Sequence, residues 1–345
     1  MEGKPRHEDA HPKGGLILKD PDNLVPGAIK EIVAKIGKKL LEGSFLDIFK
    51  GVSRPARISA PTTMLEVVCR DFTYVQRYMP RVIETSDPVE RLKLLCALII
   101  SGVHLNLQMV KATSPLNPVI GETVQRVLPD GTRFYAEQIS HHPPIAAYQI
   151  YGPNDSYLLS SHVEFNAGLN GLNSMKGWRT GKTEIKLADG TYYTIIEPYL
   201  VISGIAVGDV VLNIKGVQGF IDHTNNLTAE ITYDSKKKGT IDKMAKALAF
   251  WKDKEAPAPP TDVSVITIFQ NAINNASERI PLATGEGSWL GYVEFDGTRY
   301  WSLDDPIEDW QMPDDETFLP SDSFMREDLQ ALSFKDIPTA QVHKE

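Results

Sequence analysis

The chain has 345 residues, of which 42% are apolar and 23% are charged, and its formal net charge is −9. These values are typical of a soluble globular protein, and the acidic balance argues against nucleic acid and, taken alone, against an anionic membrane as a partner. The charge is uneven, because residues 304–328 contain ten acidic residues and one basic residue, whereas residues 1–60 contain 11 basic and 8 acidic residues. We expect the acidic segment to form a solvated surface.

The two cysteines, Cys69 and Cys96, are too few for a disulfide framework or a zinc site. We therefore expect a reducing compartment and no structural metal. The first residues are charged and lack the apolar core of a signal peptide, and the longest apolar run, residues 94–100, is far shorter than the roughly 18 residues of a membrane span. These features predict a cytoplasmic protein whose contact with membranes is peripheral and transient.

Residues 28–42 predict a short basic amphipathic helix that follows a polar and mobile segment at residues 1–25. Its apolar stripe consists of Ile29, Ile32, Val33, Ile36 and Leu40, and its basic face includes Lys35, Lys38 and Lys39. Two interpretations are open at this point. The helix could lie on a membrane surface or cover a binding site as a lid, or it could pack on a protein core like most amphipathic helices.

Beyond this helix the pattern predicts a helical front and a long β-sheet. Residues 89–110 predict a longer helix that is apolar on most sides and therefore well buried. From about residue 120 to residue 235, short β-type runs alternate with turn signals, such as the Asp-Gly pairs at 130–131 and 189–190, and a third pair at 296–297 predicts a further hairpin. A helical pattern at residues 242–251 interrupts the strands. An antiparallel meander of this length must curl or close, so we expect a large barrel that is wide enough for a ligand.

The most unusual motif is at residues 137–144, which read EQISHHPP. Pro143 and Pro144 lack amide donors and have a fixed φ angle, so a strand must end or bulge here. His141 and His142 would then lie together at a strand end, where imidazole groups suit a phosphate ligand. A structural turn with satisfied histidines is the alternative, and a metal site is less favoured because no third ligand lies at a usable spacing.

A second motif, SPLNPVIGE at residues 114–122, predicts a rigid loop after the long helix. Asn117 would hold a donor and an acceptor at a fixed place in this loop. Alone, the motif is typical of an ordinary turn.

Together the two motifs resemble the oxysterol-binding protein-related family of lipid-transfer proteins. Residues 137–144 are similar to the fingerprint of that family, residues 116–122 to its upstream companion, and residues 319–332, LPSDSFMREDLQAL, to a C-terminal segment of the family. The resemblance implies a mainly β (α+β) fold, with a large incomplete antiparallel β-barrel that encloses a lipid tunnel. It implies a lid segment at 1–55 and one lipid-binding domain at 56–345, with front helices at about 60–115, the barrel at about 120–235 and a C-terminal helical or irregular subdomain at about 240–345.

The resemblance also implies the residues that bind a phosphoinositide headgroup. His141, His142, Asn117 and Leu116 match family positions at this site. Ser114 replaces a lysine that phosphoinositide-binding members usually have, so Lys111 is a candidate substitute. Lys344 matches the first of three charged residues that the family places at four-residue spacing on a C-terminal helix. Fewer cations would hold a phosphate more weakly, since charge-assisted hydrogen bonds are the strong ones.

The implied function is the extraction of a sterol or phosphatidylserine and its exchange with phosphatidylinositol 4-phosphate between membranes. We expect lipids as ligands, transient contact with membranes, a monomer, and neither a cofactor nor a nucleic acid partner. The alternative is a lipid sensor or scaffold that binds a sterol without net transfer and binds the phosphoinositide weakly. An enzyme built on Glu122, Glu137 and Glu197 is a further alternative, although their spacing does not require a carboxylate pair.

Overall fold

One large antiparallel sheet, seen in a computed structural model, dominates the fold, and helices pack against its inner side. The structure describes residues 4–19, 56–108, 114–171, 173–205, 207–233, 260–272, 279–313 and 319–344. The predicted lid helix at 28–42, the predicted helix at 242–251 and the candidate residue Lys111 lie outside the described residues.

Fourteen described strands form the main sheet, and two further strands form a small parallel pair, β2 (Ser59–Thr63) with β3 (Ser114–Leu116). In chain order the main sheet contains β1 (Leu16–Ile17), β4 (Thr123–Val127), β5 (Arg133–Ser140), β6 (Ile145–Tyr151), β7 (Tyr157–Leu169), β8 (Ser174–Leu187), β9 (Tyr192–Ile196), β10 (Tyr199–Ser203), β11 (Val211–Asp222), β12 (Leu227–Tyr233), β13 (Val263–Gln270), β14 (Ile280–Ser288), β15 (Tyr292–Phe295) and β16 (Thr298–Ser302).

The strand order is β16-β15-β14-β13-β12-β11-β10-β8-β7-β6-β5-β4, while β9 pairs with both β8 and β11, and β1 pairs with β11. Within the described residues, β4 and β16 do not pair with each other, so the sheet is an incomplete barrel. Val124 near one end of the sheet and Trp301 near the other belong to one hydrophobic core, which requires the sheet to curl. The prediction of a mainly β fold with an incomplete antiparallel barrel and helices is confirmed.

Three helices lie at the front, α1 (Met64–Arg70), α2 (Val75–Glu84) and α3 (Pro88–Gln108), and the last confirms the predicted helix at 89–110. α3 packs on the inner face of β11–β16 because it is apolar on nearly all sides. At the other end of the chain, α4 (Glu327–Ser333) and α5 (Ile337–Lys344) form a small second core with Ala56 and Leu116. Among the described helices, none has the length and apolar character needed to cross a membrane.

Two boundaries differ from the sequence predictions. The sheet continues beyond residue 235, because β13–β16 belong to it and β12 pairs directly with β13 across the intervening segment. Among the described residues of the predicted C-terminal subdomain, only those at 319–344 form helices. Residues 4–19, which were predicted to be mobile, pack on the sheet through β1, through the Arg6–Asp262 ion pair (2.8 Å) and through a bond from the His7 amide to the Leu290 carbonyl (2.7 Å).

Candidate functional site

The two histidines lie at a strand end, as the two prolines predict. β5 ends at Ser140 and β6 begins at Ile145, so His141 and His142 occupy the turn between them. Both side chains are exposed, and their rings touch edge to face with centroids 4.6 Å apart. Neither imidazole is hydrogen-bonded to another part of the chain that the structure describes. The ring N–H groups are therefore available to an anionic ligand.

The loop that carries Asn117 lies directly beside this turn. The Gly121 amide donates to the Gln138 carbonyl, and the Gln138 amide donates to the Glu122 carbonyl, both at 2.9 Å. These bonds extend the β4–β5 pairing into the end of the loop, directly before β4. Gly121 has a φ angle of +77°, which is the left-handed conformation that glycine adopts without strain. The structure thus brings Asn117 and the histidine pair to the same edge of the sheet.

Leu116 and Lys344 have different roles in the structure. Leu116 is 1% exposed and anchors the loop in the second core, so its side chain is a support for the site and is not offered to solvent. The Lys344 ammonium donates to the Ser59 hydroxyl (2.8 Å), and Ser59 is the strand partner of Ser114. Lys344 therefore lies near Ser114, the position at which the family resemblance leads us to expect a lysine, but on a different element of the chain.

Sequence reasoning missed a buried ionic network below the Asn117 loop. Arg326 donates to the Asn117 carbonyl (2.9 Å) and to Glu122 Oε2 (2.7 Å), and it forms a two-point contact with Asp328 (2.9 and 2.6 Å). Burial raises the pKa of Glu122, and the positive charge of Arg326 opposes that shift. The similarity of residues 319–332 to the family segment marked this part of the chain as characteristic of the family. It did not indicate which residues Arg326 or Asp328 would contact.

A second buried network holds the same C-terminal segment to β4. Arg126 forms ion pairs with Glu66 and with Asp322 (3.3 Å), and Asp322 also accepts the amides of Gln125 and Phe324, both at 3.0 Å. Asp322 and Asp328 are 1% and 3% exposed. The prediction that the acidic segment at 304–328 is a solvated surface is therefore wrong for these two residues. They are buried because each has an arginine as a partner.

A third charged group lies on the inner side of the barrel. Arg179 of β8 forms an ion pair with Asp71 at the end of α1 (2.7 Å). Burial raises the pKa of Glu197, and the nearby Arg179 opposes that shift. Glu137, in contrast, is exposed on the outer face of β5. Glu137 and Glu197 thus occupy opposite faces of the sheet, and no carboxylate pair joins them.

The side chains beside the Arg179–Asp71 ion pair on the inner face of the barrel are apolar and only partly buried. Phe165, Leu200 and Ile202 pack against the main core but stay half-buried, whereas Leu159 and Val163 in the first half of β7 are fully buried. The side chain of Arg179 lies 5.7 Å from the centre of the Phe165 ring. The inner face of the barrel therefore combines accessible apolar surface with a compact ionic group.

Comparison with known proteins connects these features to a family. The profile of the oxysterol-binding protein family matches residues 47–257. Oxysterol-binding protein 9 of Dictyostelium discoideum is 30% identical over 98% of this chain and 78% of its own length. Oxysterol-binding protein-related protein 5 of Mus musculus is 30% identical over 52% of this chain, and that match spans 22% of the mouse protein.

Solved structures show the same fold. The Osh3 ORD of Saccharomyces cerevisiae, crystallised in complex with PI(4)P, has a TM-score of 0.70 and 14% identity, and the match covers 99% of this chain and 85% of that one. The Osh1 ORD domain in complex with ergosterol has a TM-score of 0.67 and 19% identity, and the match covers 91% and 85% of the two chains. At these identities the structural likeness establishes the fold alone. Together with the family profile and the Dictyostelium relative, it places the chain in the oxysterol-binding protein family.

Proposed function

We propose that the chain extracts a sterol or phosphatidylserine from one membrane and exchanges it with phosphatidylinositol 4-phosphate at another, and that it acts by binding and not by catalysis. The observation that carries the proposal is the exposed His141–His142 pair held beside the Asn117 loop. The complexes of Osh3 with PI(4)P and of Osh1 with ergosterol support this choice of ligands.

The chemistry of the turn suits a phosphorylated headgroup. Each imidazole offers N–H donors, and the Asn117 side chain offers donors and an acceptor for phosphate and hydroxyl groups. Lys344 adds a positive charge near Ser114, and charge-assisted bonds are about twice as strong as neutral ones. These groups lie near the surface, where a headgroup can enter while its chains stay in the barrel.

The inner face of the barrel suits the apolar part of a lipid. A sterol body or acyl chain that leaves a bilayer for water costs about 0.8 kcal/mol for each exposed CH₂ group. Binding against Phe165, Leu200 and Ile202 would remove that cost. The Arg179–Asp71 pair would then lie at the base of the bound lipid.

Exposed apolar side chains around the turn favour contact with a bilayer. Large apolar residues that are exposed on monomeric proteins often mark a membrane or partner surface when they cluster. Those next to the site, all about half exposed or more, are Val119, Ile120, Ile139, Phe324 and Met325. We propose that the chain is a monomeric, cytoplasmic protein that touches membranes transiently with this edge, and that the segment at 28–42, which the sequence predicts to be a helix, acts as its lid.

The second candidate function is a sensor that binds a sterol without net transfer. Ser114 favours it, because the serine supplies no cation where phosphoinositide-binding relatives usually have lysine. Lys344 would have to supply that charge from α5.

A vesicle assay tests the proposal and separates the two candidates. Donor vesicles contain a fluorescent sterol, and acceptor vesicles contain or lack phosphatidylinositol 4-phosphate. We expect the wild-type chain to transfer sterol faster when the acceptor contains the phosphoinositide, and we expect Asn117→Ala to lose that acceleration. Deletion of residues 28–42, which spares the packed residues 4–19, should slow transfer. Sterol binding without transfer would support the sensor, and absence of lipid binding would contradict both candidates.

A further inference from the structure

The network below the Asn117 loop connects segments that are far apart in sequence. Arg326 and Asn117 are 209 positions apart, yet the guanidinium donates to the Asn117 carbonyl at 2.9 Å. The same guanidinium contacts Glu122 at 2.7 Å and Asp328 at 2.6 Å. The side chains of these three charged residues are 15%, 1% and 4% exposed. The network is therefore nearly dry, and its geometry is fixed.

The network holds the loop at two points. Arg326 holds the carbonyl of Asn117, and Glu122 accepts the amide of Val119 at 2.9 Å with the same oxygen that Arg326 contacts. Pro118 lies between the two points and restricts the φ angle of the chain there. With its carbonyl and its neighbours fixed, the backbone of Asn117 has little freedom, and its side chain starts from a defined position.

Arg326 itself is not arranged as a ligand for phosphate. Each of its three nitrogens already donates to an oxygen of the protein, and its charge is offset by two carboxylates. An incoming phosphate would therefore gain little from it. Its contribution is to the geometry of the loop.

We propose that Arg326, together with Glu122 and Asp328, is a positioning residue that sets Asn117 for headgroup binding. The inference rests on the proposed function, since it assumes that Asn117 contacts a phosphoinositide. A lysine could not replace Arg326 in this role. The planar guanidinium of arginine donates to a carbonyl and two carboxylates at once, whereas a lysine ammonium is a single point charge.

The second network provides a matched control. Arg126 is also buried, also lies between two carboxylates, Glu66 and Asp322, and also ties the C-terminal segment to the sheet. Within the described residues, the partners of Arg126 are Gln125, Glu66 and Asp322, and none of them lies in the loop at 117–121. The double variants Arg326→Gln/Glu122→Gln and Arg126→Gln/Glu66→Gln each remove one positive and one negative charge, so each leaves the net charge of its network unchanged.

The test measures affinity and loop order in both variants. Affinity for short-chain phosphatidylinositol 4-phosphate is measured by titration calorimetry, and affinity for a fluorescent sterol is measured separately. Amide hydrogen exchange of residues 117–122 is measured without ligand. For Arg326→Gln/Glu122→Gln we expect a loss of about tenfold or more in phosphoinositide affinity, a change below about twofold for the sterol, and faster exchange in the loop. The Arg126→Gln/Glu66→Gln variant should change neither affinity by more than about twofold. If the first variant does not fold, Arg326→Lys takes its place with the same expected losses.

The outcomes separate this inference from the proposed function. A folded Arg326 variant with wild-type affinity and wild-type exchange would overturn the inference, as would equal losses in the two variants. Failure of the wild-type chain to bind the phosphoinositide would overturn the proposed function. The exchange measurement would then still decide whether the network orders the loop.

Discussion

Acidification should weaken the fold through one buried imidazole, that of His104 near the C-terminal end of α3. The ring is 3% exposed, and its Nδ1–H donates to the Trp289 carbonyl at 2.8 Å. The rings of Trp301 and His7 lie at 5.3 and 5.7 Å. Burial lowers the pKa of His104 to about 4, with the Trp289 bond opposing that shift and His7 adding to it.

The sign and size of the effect follow from this lowered pKa. In the unfolded chain the imidazole has a pKa near 6.5, so below that pH the unfolded state binds a proton that the folded state does not. The contribution of His104 to stability is present above about pH 6.5 and is lost as the pH falls towards 4. At pH 5 the unfolded state gains about 2 kcal/mol relative to pH 7 from this group alone.

Urea unfolding at pH 7 and pH 5, followed by tryptophan fluorescence, measures this contribution. His104→Asn keeps an amide donor near the Trp289 carbonyl but removes the titration. We expect the variant to have a lower free energy of unfolding than the wild-type chain at pH 7, because it loses packing. Between pH 7 and pH 5 the free energy of unfolding of the wild-type chain should fall by about 2 kcal/mol more than that of the variant. The other titrating groups are the same in both proteins, so their effects cancel when the two pH dependences are subtracted. The same pH dependence in both proteins would refute the reasoning.

Two further predictions concern the strands and the thiols. Gly181 of β8 has a φ angle of +127°, and a Cβ there would lie 2.0 Å from a carbonyl oxygen of β7, so Gly181→Ala should cost several kcal/mol or prevent folding. Gly131→Ala, at a positive φ angle in open space, should cost only about 1 kcal/mol. Cys69 and Cys96 are buried and unpaired, and burial raises the pKa of both thiols, so a thiol reagent should modify them only after unfolding.

Thermal unfolding and a timed thiol titration check these expectations. Equal and small losses for the two glycine variants would show that β7 and β8 can separate to admit a methyl group. Rapid modification of either thiol in the native protein would contradict its burial.

The parts of the fold that the sequence predicts depend on local signals. The Asp-Gly pairs form turns at Gly131 and Gly190, each with a φ angle of +89°, because glycine takes this conformation without strain. The apolar pattern of α3 likewise identifies a buried helix over Pro88–Gln108. The continuation of the sheet into β13 was missed, because the pairing of β12 with β13 depends on contacts that no local pattern encodes.

The same division applies to the site. The two prolines after His142 require the strand to end, so the exposed histidine pair could be predicted from the motif itself. The burial of Asp322 and Asp328 could not be predicted in this way, because acidic residues in an acidic segment are normally solvated. Their arginine partners come from β4 for Asp322 and from the residue before α4 for Asp328, and only the fold brings the first pair together.

Extraction of phosphatidylinositol 4-phosphate from vesicles is the most direct test of the central claim, which is that the His141–His142 turn binds the headgroup. The chain is mixed with vesicles that contain the lipid, and the vesicles are then removed by flotation. The amount of lipid that remains bound to the soluble protein is measured. Wild-type protein and the control variant His162→Ala, which changes an exposed histidine on β7, should carry the lipid. His141→Ala/His142→Ala should carry about tenfold less or none, while its circular dichroism spectrum is unchanged. Equal extraction by this double variant and the wild-type chain would contradict the account.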